Sequence, residues 1–277
     1  MFAGLFKCKI VKMQSYSKRP VAFVISSTNH GTMLVNRNDY HMVEGHGTYG
    51  VGHQLLNRSA HEPEEIDVVS RLLVMRRSDY GPGVVVLDCG ANIGTHTIEW
   101  ARLMYDWGSV LAFEAQERIF YALAGNITIN NCFNARAIWA AVGEQPGRIN
   151  VPEVNYLLPS SFGSLELKKK KTTEFIGQPV DYDKCQAVRM VSIDELGLER
   201  LDFIKLDVEG MELDALKGAI KTIRNHRPQM MIERIKSNCD EISLFLRDLG
   251  YKIFSLKMDF LAVHENDPSL GRIEIAQ

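Results

Sequence analysis

The chain has 277 residues, 45% of them hydrophobic, enough to bury the core of one enlarged domain or of one domain with an appendage. Its 32 basic and 34 acidic residues leave a net charge of −2, which gives no electrostatic basis for a nucleic-acid partner. The four lysines at 168–171 are the exception, and with few aromatics beside them they read as a solvated loop.

At the N-terminus, MFAGLFKCKIVKM is interrupted by Lys7, Lys9 and Lys12, leaving no continuous apolar core for a signal peptide. No later segment approaches the length needed to span a bilayer. Cys8, Cys89, Cys132, Cys185 and Cys239 lack C-x-x-C or metal-type spacing, so neither a zinc site nor a disulfide framework is expected. A reducing, cytoplasmic setting follows.

Residues 1–80 read as an extension of the main domain. VAFVISS and TMLVNR predict a hairpin around Asn29, His30 and Gly31. DYHMVEGHGTYGVG, at 39–52, is loop-like; 63–77 is a helix with Pro63 in its first turn and Ile66, Val69 and Leu73 on one face. His30, His41, His46 and His53 crowd this segment without the spacing of a ligand set, so no metal is expected. Loops on a rigid scaffold commonly carry recognition, which makes this extension a candidate substrate cap.

From Val84 onward, short apolar runs alternate with helical periodicity, the pattern of a doubly wound α/β sheet filling residues 81–277. VVVLD, SVLAFEA, ARAIWAAV, DFIKLD, PQMMIE, YKIFSL and DFLAVH predict seven strands, the last two joined as an antiparallel hairpin. Leu213, Leu216, Ile220 and Ile223 form one helical stripe; Ile242, Phe245, Leu246 and Leu249 form another before Gly250. Residues 144–190 break the pattern with prolines, glycines and serines. They predict a long connection with at most short strands, and residues 159–165 in it are read as facing substrate.

VVVLDCGANIG is a strand, a glycine turn and the start of a helix, the arrangement that seats a nucleotide-like ligand over a helix N-terminus. Asp88 lies at the strand's carboxyl end, while Gly90 and Gly94 permit close ligand approach. The spacing lacks the third glycine of G-x-G-x-x-G, which disfavours a pyrophosphate. S-adenosylmethionine, with a ribose and no phosphate, fits what remains. Glu114, twenty residues after Gly94, is placed to accept the ribose hydroxyls. Further on, LDFIKLDVEGMELDALKG ends a strand near Lys205 and Asp207 and opens a helix with Glu209, Gly210 and Glu212. PQMMIE should deliver Glu233 to the same sheet edge. Carboxylates converging there repel one another, so at least one pKa rises or a cation such as Lys205 is recruited. Glu212 reads better as a residue favouring the positive end of the following helix.

LDCGANIGTHT, AFEAQ, Asn126 and Asn130, VSIDEL, DFIKLDVEGMELDALKGA and RPQMMIE together resemble the FkbM family of S-adenosylmethionine-dependent methyltransferases, from about residue 84 to 264. The resemblance implies a class I methyltransferase fold, with methyl transfer usually to an oxygen of a sugar or polyketide. By position it implies a donor loop at Asp88, Gly90, Ala91, Asn92, Gly94 and Thr97, a ribose carboxylate at Glu114 beside Ala115, and an adenine contact near Ala141. It also implies an acidic pair at Asp207 and Glu209; Arg234, after Glu233, departs from its pattern, and the N-terminal region inherits nothing. The resulting expectation is an O-methyltransferase of a carbohydrate or related secondary metabolite, acting on a small-molecule or glycan acceptor. Asp207 is the first choice of base, followed by Glu209, Glu233 and His96. N-methylation of a peptide or amine, or a non-catalytic adenosyl-binding scaffold, are the rivals. The oligomeric state is not legible.

Overall fold

A computed structural model of the protein describes residues 19–45 and 47–273. Cys8, the lysines at 7, 9 and 12, and His46 lie outside the described residues. In chain order the strands and helices are β1 (Phe23–Thr28), β2 (Gly31–Asn36), β3 (His41–Val43), β4 (Gly47–Tyr49), α1 (Val51–Arg58), α2 (Pro63–Tyr80), β5 (Val84–Cys89), α3 (Thr95–Leu103), β6 (Gly108–Glu114) and α4 (Glu117–Ile129). They continue as β7 (Ala135–Trp139), β8 (Ala141–Val142), β9 (Gly147–Pro152), β10 (Cys185–Val191), β11 (Phe203–Leu206), α5 (Glu212–Lys217), α6 (Ile220–His226), β12 (Gln229–Glu233), α7 (Cys239–Asp248), β13 (Tyr251–Leu256) and β14 (Asp259–His264).

The main sheet has seven strands in the order β13-β14-β12-β11-β5-β6-β7. Strands β12, β11, β5, β6 and β7 run parallel, and β14 joins β12 and β13 antiparallel. This is the doubly wound architecture of class I methyltransferases, with the predicted terminal hairpin. β5 and β11 are mostly apolar because helices cover both faces of the sheet; all four residues of β11, Lys205 included, are buried. In such sheets a ligand sits beyond the carboxyl ends of the strands where the order reverses, here between β5 and β11.

Four expectations change in detail. The run ARAIWAAV divides: β7 stays in the main sheet, while β8 pairs with β10 in a second sheet, β8-β10-β9. The connection at 144–190 therefore holds two well-paired strands, β9 and β10, six residues of each in register. The stripe after Gly210 is carried by two helices, α5 and α6, because the chain breaks at Gly218 and Ala219. The segment at 39–52 contains the β3-β4 hairpin and the start of α1, whose Leu55 is fully buried.

The N-terminal extension shares the core of the main domain: Met33, Val35 and Leu55 pack in one cluster with Val69, Trp100 and Phe203. Two side-chain amides, Asn126 on α4 and Asn130 at its C-terminal cap, hold it there. Asn126 accepts from the Leu34 amide at 2.5 Å and donates to the Leu34 and Ile93 carbonyls. Asn130 accepts from the Thr32 amide and donates to the Thr32 carbonyl. Side chains here stand in for a strand, satisfying the β2 backbone that its hairpin partner leaves open. Cys89, Cys132, Cys185 and Cys239 are all free thiols, and among the described residues no helix is long and apolar enough to cross a membrane.

Candidate active site

A cavity of about 560 Å³ opens beyond the carboxyl ends of β5, β6 and β11. Its floor includes Gly90, Ala91, Asn92, Glu114, Ala115 and Ala141; its far side carries Asp207, Glu209 and Glu233. His96 also lines it. Three residues expected at the donor do not. Asp88 is buried beneath the loop, where Oδ2 accepts from Thr97 Oγ1 at 2.5 Å, and Thr97 is fully buried with it. A Cβ on Gly94 would press on Leu123. These residues shape the turn from below.

Gly90 likewise serves a contact within the chain. At φ +85 it occupies the left-handed region, and a Cβ there would overlap the carbonyl oxygen of Asp207. The expected reason for this glycine, room for the ligand, is joined by a tighter one: the loops after β5 and β11 touch through backbone alone.

Glu114 is 6% exposed. Its Oε1 accepts the Gln116 amide at 2.7 Å and its Oε2 the Asn92 amide at 3.0 Å. Burial pushes its carboxyl up to about 7, although the backbone donors at Gln116, Asn92 and Ala115 pull the other way. Gln116 extends the site: its side-chain Nε2 donates to the Phe162 carbonyl at 2.8 Å and its Oε1 accepts from the Tyr156 hydroxyl, so the inserted segment is fastened beside Glu114.

The carboxylates converge as expected. One oxygen each from Asp207, Glu209 and Glu233 lies within 4.8 Å of the others. Both expected consequences occur together. Lys205 Nζ lies 2.8 Å from Asp207 Oδ2, and Lys236 Nζ 2.6 Å from Glu209 Oε2. Glu209 and Glu233 are raised, first by burial and then by the neighbouring carboxylates. Glu233 Oε2 is buried without a hydrogen-bond partner. Glu209 sits at φ +53, a cost that a non-glycine residue bears where the surroundings enforce it. The enforcing group is Glu212, whose Oε1 accepts the amides of Val208 and Gly210 while Oε2 takes the Ser237 hydroxyl. Glu212 is thus a loop staple, more than the dipole partner anticipated.

A second charged group flanks the cavity. His96 Nε2 lies 3.2 Å from Glu65 Oε1 and 3.6 Å from Glu62 Oε2; His61 Nδ1 is 3.7 Å from the same Glu62 oxygen. Burial lowers His61 to about 4. In His96 burial also acts downward, but Glu65 outweighs it and the imidazole is raised. Glu65 is held below the usual carboxylate range: burial opposes this, and His96 and Lys205 override it.

Two covering segments close the cavity. Tyr49, Gly50, Val51, Gln54, His61 and Glu62 come from the N-terminal extension; Ser161, Gly163, Ser164, Leu165 and Leu167 come from the insertion. Asp39 ties them together: Oδ2 accepts the Gly52 amide at 3.0 Å and Oδ1 the Phe162 amide at 3.1 Å. Lys170, within the lysine run, donates to the Gly210 and Lys236 carbonyls; Lys168, Lys169 and Lys171 are exposed.

Sequence reasoning missed Gln116, Asp39, Lys236 and His61. Of the histidines it did single out, His30 lies 3.1 Å from Glu99 and His41 2.8 Å from the Tyr49 hydroxyl, while His53 pairs with Asn57. Nothing in a one-dimensional spacing signals that His61 meets His96 across 35 positions.

The family model described as "Methyltransferase FkbM domain" matches residues 88–253. The chain belongs to the FkbM methyltransferase family. The family's methyl donor is S-adenosylmethionine. Methyltransferase sdnD of Sordaria araneosa is 28% identical over 155 residues, 48% of this FkbM-family chain and 59% of that protein; the chain thus spans about three-fifths of that relative. Among solved structures, methyltransferase FkbM from Methylobacillus flagellatus is 20% identical, with a TM-score of 0.46 over 66% of this chain and 44% of its own. The Pyrococcus abyssi tRNA (uracil-54, C5)-methyltransferase in complex with S-adenosyl-L-homocysteine is 15% identical, with a TM-score of 0.43 over 87% of this chain and 44% of its own.

Proposed function

We propose that the protein is an O-methyltransferase that transfers the methyl group of S-adenosylmethionine to a hydroxyl of a carbohydrate or a related polyhydroxylated metabolite. The observation that carries this reading is the union, in one cavity, of a buried carboxylate over a glycine turn with three converging carboxylates beside it. The residues fit the donor. Glu114 has lone pairs left after its two backbone bonds and is a strong acceptor for vicinal hydroxyls. The backbone of Gly90, Ala91 and Asn92 would receive the methionine portion, and Ala141 with Val142 the adenine. The cavity has the size usual for a small-molecule site.

When bound, the donor supplies an electrophilic methyl on a sulfonium, and the chain must aim a hydroxyl oxygen at it in line. Asp207, next to the donor loop, is the group we assign to orient the hydroxyl and accept its proton. Lys205 keeps Asp207 in place through their ion pair at 2.8 Å. Glu209 and Glu233, raised first by burial and then by the Asp207 carboxylate, can receive the proton onward once ionised. Polar groups along the cover, Tyr49, Gln54 and Glu174 among them, suit a hydroxyl-rich acceptor.

The experiment is turnover with labelled S-adenosylmethionine against pooled glycans, polyhydroxylated metabolites, peptides and amines. Transfer to a hydroxyl compound, with a rate set by ionisation of the enzyme's carboxylates, supports the reading. Transfer confined to amines, with a rate following the amine's own pKa, overturns it in favour of N-methylation; donor binding without transfer to any pool favours the scaffold.

A further inference from the structure

We propose that His61, Glu62 and His96 form a binding site for a divalent transition-metal ion of the zinc class, separate from the carboxylates assigned to proton transfer. One ligand atom from each of the three lies within 4.8 Å of the others. The fold brings them from two places: His61 and Glu62 end the link between α1 and α2, and His96 stands in the first turn of α3. Glu62, at φ +45, is held in the left-handed region at the helix start and makes no capping bond there.

A second observation points to a ligand. The His96 side chain is 7% exposed, and its Nε2 has no hydrogen-bond partner. Glu65 Oε1, 3.2 Å away, is also buried and unpartnered, so the two atoms are near without being aligned. Buried polar atoms left open in this way call for a ligand such as an ion. An ion on His96 Nε2, a Glu62 oxygen and a His61 nitrogen would satisfy the imidazole, with Glu65 as a fourth donor or outer partner.

The donor chemistry selects the metal. Two imidazoles and a carboxylate are the set preferred by zinc and its neighbours, whereas calcium and magnesium take oxygen ligands. Metal–ligand bonds of about 2 Å place tetrahedral ligand atoms about 3.3 Å apart. The 3.6 and 3.7 Å separations from Glu62 to His96 and His61 need to close by a few tenths of an ångström, and His61 Nδ1 would exchange its 3.2 Å contact with the Thr95 hydroxyl for the ion. The carboxylate cluster differs: Lys205 and Lys236 already supply its cations. Lys205 also approaches Glu65, at 4.0 Å, but its nearer partner is Asp207. Since His61, Glu62 and His96 all line the cavity, an open coordination position would face the acceptor. That consequence rests on the methyl-transfer reading; the binding does not.

The test uses the untagged full chain, stripped with chelator and titrated with zinc against a chromophoric competitor. The expected result is one equivalent bound per chain, weakened by more than about tenfold in His96→Gln and in Glu62→Gln. Cobalt in place of zinc should give visible bands of a four-coordinate nitrogen and oxygen site without a sulfur charge-transfer band. Glu62 is 40% exposed, so its variant keeps the test decisive where His96→Gln disturbs folding, which circular dichroism checks. Failure to retain zinc against the competitor overturns the site, as does wild-type affinity in folded Glu62→Gln. Affinity lost in Asp207→Asn but kept in Glu62→Gln overturns it too, moving the ion to the carboxylate cluster.

Discussion

Glu114 holds two backbone amides before any ligand arrives, so its substitution tests two roles that pH separates. Removing it should weaken S-adenosylmethionine binding by about 2–4 kcal/mol, the scale of two charge-assisted hydrogen bonds in a buried site; unchanged calorimetric affinity in Glu114→Ala would refute the ribose assignment. For folding the sign is opposite. A carboxyl whose folded pKa is about 7 against an ordinary 4.5 favours the folded state below 4.5 and loses that advantage as pH rises through 7. Compared with Glu114→Gln, the ligand-free wild type should therefore lose up to about 3 kcal/mol between those pH values, measured by denaturant unfolding across the range. At the proposed base, Asp207→Asn should keep donor affinity while cutting turnover by about two to four powers of ten. In Glu233→Gln the rise of kcat with pH, set by carboxyls shifted upward, should change shape; identical pH profiles in the two proteins would exclude Glu233 from the proton path.

Among the elements, those built from local signals were the legible ones. The strand-turn-helix at β5 and α3, the hairpin of β1 and β2, α2, α7 and the β13-β14 pair all follow from periodicity and from glycine and proline punctuation. Less local features escaped. α1 hid behind glycines, and β9 and β10 flank a stretch of prolines and serines, where pairing with each other and with β8 makes them strands. The same limit holds at the site. Glu114, Asp207 and Glu233 could be read because each lies at the end of a recognisable strand, and Glu209 because it follows Asp207 by two residues, whereas Asp39 and His61 acquire partners only from tertiary contact. Asp39 also gives the element-scale prediction. Asp39→Ala leaves the Gly52 and Phe162 amides without their acceptor, at about 1–3 kcal/mol for each buried group. It should lower the unfolding midpoint and raise the acceptor KM while sparing donor affinity. Loss of donor affinity in the folded variant would mean that the covering segments belong to the donor site.

At the scale of the molecule, the matched family region and the folding unit differ. A chain cut to residues 88–253 would begin inside β5 and lack β14, which joins β13 to β12. It would also shed Met33, Val35, Leu55 and Leu73 from the shared core. That fragment should elute as aggregate and be digested rapidly in limited proteolysis, whereas residues 19–273 should be monodisperse and resistant. A monodisperse fragment that binds S-adenosylmethionine would show that the extension and β14 are dispensable.

The contact between Gly90 and the Asp207 carbonyl has an evolutionary consequence. With no atom's width to spare between the donor loop and the loop bearing the proposed base, the spacing of these two loops is set by main chain. Selectivity can then change only on the opposite wall, where the N-terminal extension and the insertion meet. Descendants of this fold are free to exchange acceptors by rewriting those two segments while the chemistry beneath them stays frozen.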